Sequence, residues 1–148
     1  MSLGDFDFDS LLKNSKALSV LGDGLAEKGV RRAMQDGMAD LKVATVALAR
    51  VDTHTMEKSV YYRTEATQTR VVGEVGVTAQ DEKGYPYAIR QHEDLSLDNG
   101  PKSELKPAYD GMEVGPKYLE RPWLKSRVKY LNHIAEAVNV ELRKAGGR

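Results

Sequence analysis

The spacing of apolar residues changes twice along this chain, and the changes constrain the fold more than any other feature. Over residues 25–51 apolar side chains recur every three or four positions, which predicts a long helix. Over residues 60–65 and 69–79 apolar and polar residues alternate, which predicts two antiparallel strands joined as a hairpin. The helical spacing returns over residues 122–142 and predicts a closing helix. This order favours an α+β fold, with two long amphipathic helices packed on a small, mostly antiparallel sheet of three or four strands.

Each long helix is expected to bury one face. In the first helix this face comprises Val30, Met34, Gly37, Met38, Leu41, Ala44, Leu48 and Val51. In the closing helix it comprises Leu124, Val128, Leu131, Ile134, Ala135, Val138 and Leu142. Gly29 and Gly37 each lower the helix propensity by about 1 kcal/mol relative to Ala. We therefore expect both glycines to pack closely against a neighbour, either another element or another subunit.

Two segments have no decisive periodicity. Residues 87–92 fit a third strand or a turn of helix equally well. Residues 94–117 contain six glycines or prolines and few regularly spaced apolar residues, so they are expected to form a long interaction loop. The glycines of the second strand, Gly73 and Gly76, are expected where that strand bends or approaches another backbone closely.

The composition is that of a folded protein, expected to form a single domain over residues 1–148. The 22 basic and 22 acidic residues cancel, so the positive field that favours non-specific nucleic-acid binding is missing. The absence of cysteine excludes disulfides and cysteine-ligated metals and is typical of a reducing cytosol. No apolar run reaches the length of a membrane span, and the acidic N-terminus does not resemble a secretion signal.

Residues 1–20 are expected to form an N-terminal arm. Phe6 and Phe8 alternate with aspartates and are candidate docking side chains. Ser10 is a candidate N-cap for a short helix that carries leucines on one side.

Charge is distributed unevenly in the second half. Residues 81–113 carry a net charge of −4, from four basic and eight acidic residues, whereas residues 117–148 carry +5, from eight basic and three acidic residues. The two segments are therefore expected to attract each other, within a subunit or between subunits.

His92, Glu93 and Asp94 are the one run in which three acid–base or metal-binding side chains adjoin. Adjacent residues on a strand point to opposite faces, and no second histidine has metal-ligand spacing. A metal-dependent enzyme at this triplet is therefore an alternative hypothesis, against the simpler interpretation that His92 packs at the end of a third strand. We expect no catalytic residue, no metal and no cofactor.

Aromatic and basic side chains are interleaved near the start of the closing helix. Such residues stack nucleic-acid bases or anchor protein interfaces. We favour an interface, with a small cytosolic nucleic-acid-binding module that uses Tyr118, Trp123 and the basic last helix as the alternative. The candidate interface residues are Phe6, Phe8, Tyr109, Lys117, Tyr118, Trp123, Lys125, Arg127 and Lys129.

The order of these features resembles the tail-completion or head–tail joining proteins of tailed bacteriophages over about residues 25–145. The resemblance is carried by the first helix, the hairpin, Tyr87-Ala88 with His92-Glu93, Gly115-Pro-Lys-Tyr-Leu-Glu120, Pro122 and the closing helix. Family members usually show Pro-Val-Asp-Thr-Gly-x-Leu-x-x-Ser after the first helix. The stretch here is Arg50-Val51-Asp52-Thr53-His54-Thr55-Met56-Glu57-Lys58-Ser59, so Arg50 and His54 replace the Pro and the Gly.

The resemblance implies a structural virion protein. It implies a homo-oligomeric ring, usually of six copies, at the head-proximal end of the tail tube. The partners would be head connector or adaptor proteins and tail-tube or tail-terminator proteins. DNA would pass through the ring as non-specific cargo, and the protein would be made in the host cytoplasm and reside in the neck of the virion, away from any membrane.

Overall fold

The structure, a computed structural model, describes residues 25–51, 54–66 and 70–146. Its fold class is α+β, as the sequence predicts: helices accompany a two-stranded antiparallel sheet. The elements in chain order are α1 (Leu25–Leu48), α2 (Thr55–Ser59), β1 (Val60–Ala66), β2 (Val71–Val77), α3 (Tyr87–Glu93), α4 (Pro101–Glu104) and α5 (Glu120–Gly146). The predicted arm over residues 1–20 lies outside the described residues.

The hairpin lies with one face against α1. β1 and β2 pair antiparallel, from Val60 opposite Val77 to Ala66 opposite Val71, which confirms the predicted pair of strands. A Cβ atom added at Gly73 would lie 2.6 Å from Cγ of Met38. The glycine therefore makes room for side chains of α1, rather than for another backbone as the sequence suggested.

The segment proposed as a possible third strand is the helix α3. Its buried residues Ala88 and His92 are four positions apart, so they lie on the same side of a helix. The phenol of Tyr118 donates a hydrogen bond to the carbonyl of Ala88 at 2.8 Å and holds α3 in place. Of the two alternatives left open for residues 87–92, the structure has the helix, and within the described ranges the sheet has two strands.

α1 and α5 pack antiparallel along much of their length. A Cβ atom at Gly29 would lie 2.9 Å from Cγ of Glu141, and one at Gly37 would lie 3.3 Å from Cδ1 of Tyr130. The close neighbour expected for both glycines is therefore α5 of the same chain. The phenol of Tyr130 also donates to Oδ2 of Asp40 at 2.8 Å, and burial raises the pKa of this tyrosine.

The buried face of α5 is only partly the one expected, since Ile134 belongs to the expected face and Tyr130 does not. Tyr130 and Ile134 are 5% and 4% exposed, whereas Leu124 and Val128 are 50% and 60% exposed. At about 100° per residue, the two pairs occupy sides of the helix roughly a third of a turn apart. The sequence of α5 contains two apolar stripes, and α1 covers the one centred on Tyr130 and Ile134.

We predict that truncating a side chain in the buried stripe of α5 lowers the free energy of unfolding more than truncating one in the exposed stripe. Ile134→Ala should lower the free energy of unfolding by about 2 to 5 kcal/mol, because it leaves a cavity beside Val30 and Ala33. Leu124→Ala is the matched control and should cost less than about 1 kcal/mol, since half of that side chain already contacts solvent. Urea denaturation measures both, and equal losses would contradict the packing described.

Candidate interaction surface

The segment that follows α1 is organised by a buried arginine. Arg50 is 5% exposed. Its Nε donates to Oδ1 of Asn99 at 2.9 Å, while its two terminal nitrogens donate to the carbonyls of Gln91 and Leu97, both at 2.8 Å. One planar guanidinium thus joins the end of α1 to the end of α3 and to the loop beyond it.

A second arginine, Arg121, lies near Arg50. Burial lowers the pKa of the Arg50 guanidinium, and the carboxylates of Asp94 and Asp98 oppose that change. Burial also lowers the pKa of Arg121, and the proximity of Arg50 lowers it further. Arg121 donates to the carbonyl of Glu113 at 2.9 Å. The first turn of α5 therefore places a second guanidinium near the first.

The predicted interaction loop is fastened to the C-terminal end of α1. The hydroxyl of Ser103, a residue only 1% exposed, accepts from the amide of Val51 at 2.8 Å. The ammonium of Lys106 donates to the carbonyls of Val46 and Ala49 at 2.7 and 2.9 Å. The last carbonyls of a helix carry partial negative charge and have no partner within the helix, so a cation there is stabilising.

Glu57 completes this end of the helix. Its carboxylate accepts from the Lys106 ammonium at 2.7 Å and lies 2.6 Å from Nδ1 of His54. Burial raises the pKa of the Glu57 carboxyl, but the contacts with Lys106 and His54 lower it by more, so that it ends below its usual value. His54 itself has a φ of 61°, a left-handed conformation that glycine adopts most readily.

The His92, Glu93 and Asp94 triplet has structural contacts. His92 is buried against the edge of Tyr118, with ring centroids 4.9 Å apart, and its Nδ1 lies 2.7 Å from Oε1 of Glu93. Glu93 also pairs with Lys117, and Asp94 lies on the loop side of α3. Among the residues that the structure describes, no group of three or more His, Asp or Glu side chains is placed to hold a metal ion. This triplet therefore offers no metal-binding geometry.

The candidate aromatic interface residues contribute to the core of the described chain. Tyr118 is 2% exposed, and its burial raises the pKa of its phenol to about 12. Tyr109 and Trp123 are partly buried against two apolar clusters. Phe6 and Phe8 lie outside the described residues. A role for these side chains at an interface stays a prediction, and Tyr118 would have to leave the core to make such a contact.

Most of the candidate basic interface residues have partners within the chain. Lys117 pairs with Glu93 and Glu120, Lys125 lies 3.0 Å from Asp110, and Lys129 lies 3.4 Å from Asp40. Arg127 is exposed and makes no ion pair within the described part of the chain. Internal pairing therefore accounts for part of the charge attraction that the sequence indicated, and Arg127 is the candidate cation left for an external partner.

A cleft of about 830 Å³ opens beside Arg50. Its lining includes the cations Arg50 and Lys102 together with the carboxylates of Asp81, Glu82 and Asp98. The segments around it also expose large apolar side chains: Tyr85, Ile89 and Leu95 are 59%, 63% and 72% exposed. We call Tyr85 and Leu95, with the three carboxylates, the α3 surface, because Ile89 lies about 160° around α3 from Gln91, which lines the cleft.

A second exposed apolar region lies on α5. Leu124, Val128, Leu131 and Ala135 follow each other at intervals of four, three and four residues and so share one side of the helix. Leu124, Val128 and Ala135 are exposed, and Leu131 is half-buried. We call these four residues the α5 stripe. The α3 surface is acidic, whereas the α5 stripe lies in the basic part of the chain.

The structure depends on one residue whose role was not evident from the sequence. In the sequence, Arg50 is distinguished only by replacing the proline of the family that the chain resembles. The available signal was its position, since Arg50 is a single cation between the apolar residues Ala49 and Val51 at the end of a buried helix face. A charge at such a position requires several hydrogen-bond acceptors nearby.

Comparisons with known proteins identify no relative. No protein-family model matches the chain, and neither a curated protein nor a solved structure does. In the described ranges, none of the helices has the length and apolar character needed to cross a membrane.

We predict that Arg50→Lys destabilises the protein although it preserves the charge. A lysine ammonium cannot reach three acceptors in the fork geometry of the guanidinium, so buried acceptors lose their partners and the free energy of unfolding should fall by about 2 to 4 kcal/mol. Urea denaturation measures this loss, and amide hydrogen exchange should accelerate over residues 95–117. Arg31→Lys, at an exposed position of α1, is the control and should change neither quantity.

We predict that Glu57 contributes to stability above acidic pH. Because folding lowers its pKa, the unfolded chain binds a proton first as the pH falls below about 4.5, and the stabilisation is lost as the pH drops through the folded-state pKa. The difference in unfolding free energy between about pH 7 and about pH 3 should therefore be smaller in Glu57→Gln than in the wild type. Glu104→Gln, an exposed control, should behave as the wild type, and an unchanged acid response in Glu57→Gln would refute the assignment.

Proposed function

We propose that this protein is a structural component of the neck of a tailed bacteriophage or phage-like particle. In this proposal it completes the tail and joins it to the head connector, as one subunit of a homo-oligomeric ring around the DNA channel. The ring would hold six copies and contact connector or adaptor proteins on one side and tail-tube or tail-terminator proteins on the other. DNA would pass through without sequence recognition.

The observation that carries the proposal is that two separate exposed surfaces, the α3 surface and the α5 stripe, have opposite charge and both contain apolar side chains. The α3 surface combines apolar side chains with Asp81, Glu82 and Asp98. The α5 stripe combines apolar side chains with Arg127, which has no ion-pair partner in the described part of the chain. A ring requires that one patch of a subunit meet a different patch of the next subunit. These two surfaces have the complementary charge and the apolar content that such a contact uses.

The turn after α1 supports the family resemblance on which the proposal also rests. His54 stands where the family usually has Gly, and its φ of 61° lies in the region that favours Gly. The residue type thus departs from the family pattern, whereas the backbone has a conformation that a glycine adopts readily.

The predicted sheet of three or four strands also belongs to this proposal. The described sheet has two strands, so each strand has one edge without a strand partner. A strand from a neighbouring subunit that paired with one of these edges would extend the sheet toward the three or four strands expected from the sequence.

Neither alternative function gains a specific observation in its favour. A nucleic-acid-binding module would need Tyr118 to stack on bases, and that ring is buried against His92. A metal-dependent enzyme at His92, Glu93 and Asp94 would need the three side chains to converge, whereas Glu93 pairs with Lys117.

The proposal is tested by immunogold electron microscopy of particles from the source lysate. The antibody should be raised against residues 104–108, which lie outside both proposed contact surfaces and are exposed apart from the half-buried Lys106. We expect gold label at the head–tail junction, and competition with the free peptide 104–108 should abolish it. Particles without label, together with protein confined to the soluble fraction, would overturn the proposal.

A further inference from the structure

The α5 stripe is an apolar helix face without a partner in the described chain. α5 packs on α1 through Tyr130 and Ile134, while Leu124 and Val128 remain 50% and 60% exposed. Isolated exposed apolar residues are normal on a protein surface, but a row of them at helical spacing indicates a contact site. The stripe has the pattern by which one helix receives another amphipathic segment.

Basic side chains accompany the stripe. Residues 121–135 contain four Lys or Arg and no Asp or Glu. Two of the four, Lys125 and Lys129, pair with Asp110 and Asp40. Arg127 lies three residues after Leu124 and four before Leu131, so it borders the stripe and has no internal ion pair in the described part of the chain. An occupant should therefore combine apolar side chains with negative charge.

The N-terminal arm has this composition. Residues 5–12 read Asp-Phe-Asp-Phe-Asp-Ser-Leu-Leu, with three acidic residues, two phenylalanines, two leucines and no Lys or Arg. No other stretch of eight residues in the chain combines three acidic residues with four large apolar ones. Its chemistry is thus complementary to that of the stripe, with aspartates for Arg127 and aromatic rings for Leu124 and Val128.

The arm is also long enough to reach the stripe of its own subunit. The beginning of α1 lies beside Glu141 of α5, as the close approach at Gly29 shows. Val128 is 13 residues before Glu141, a distance of about 20 Å along the helix. Phe8 is 17 residues before Leu25, and a chain of that length spans up to about 56 Å when extended. Attachment to the same chain also raises the effective concentration of the arm at the stripe to the millimolar range.

We propose that residues 5–12 dock on the α5 stripe of the same subunit, with Phe6 and Phe8 against Leu124 and Val128 and the aspartates near Arg127. This inference concerns the free subunit and does not depend on the neck assignment. It has a consequence for a ring, because the arm and the α3 surface share acidic and apolar chemistry. A neighbouring subunit that binds the stripe has to displace the arm.

The test uses the absence of cysteine in the natural chain. Val128→Cys places a single thiol in the stripe, and its rate of reaction with a soluble thiol reagent is measured at several protein concentrations. We expect this thiol to react at least about tenfold more slowly in the otherwise intact chain than in a chain that also carries Phe6→Ser and Phe8→Ser. The slower rate should not vary with protein concentration, since the occupant belongs to the same molecule.

Val43→Cys is the matched control, because Val43 is 56% exposed on the other long helix. Its thiol should react at the same rate with and without the two serine substitutions. Fast reaction of Cys at position 128 in the intact arm background would overturn the proposal. Protection that increases with protein concentration and persists in the serine variant would also overturn it, since a second copy would then be the occupant.

Discussion

The arrangement of the second half of the chain depends on one buried cation. Arg50 joins three carbonyl or amide oxygens from Gln91, Leu97 and Asn99. Asn99 in turn donates to the carbonyl of Val114 at 3.0 Å, one residue before the glycine whose amide returns to α1. Removing a guanidinium from water is costly unless its donors are used. The loop therefore adopts the conformation that supplies these acceptors, and the position of α3 follows from it.

The hydrogen bonds that hold residues 94–117 against the rest of the chain affect how this loop can bind a partner. The sequence predicts a long interaction loop over residues 94–117, and Ser103 and Lys106 fasten this segment to the end of α1. A partner would meet side chains held on a defined backbone, among them Leu105, which is 85% exposed. Binding to such a surface requires less ordering of the chain than binding to a disordered segment. The fastened loop thus acts as part of the subunit surface.

The spacing of apolar residues predicted the secondary structure correctly where a single periodicity dominated a segment. The alternation over residues 60–79 predicted the hairpin, and Val30, Leu41 and Leu48 are buried as the helical spacing required. The spacing did not decide the structure of residues 87–92, which fit a strand and a turn of helix equally well. Residues 87–92 form a helix, and Tyr118, about thirty residues later, donates a hydrogen bond to the carbonyl of Ala88. No feature within residues 87–92 contains that information.

The sequence by itself determined the α+β class, the hairpin, the positions of the long helices and the separation of charge, because each of these follows from residues close together in the chain. The tertiary structure decided which face of α5 is buried and which cations are available. α5 has two apolar stripes, and only the shape of α1, with glycine opposite Tyr130, selects between them. Likewise, Lys125 and Arg127 are equivalent in sequence, but only Lys125 has an aspartate within reach.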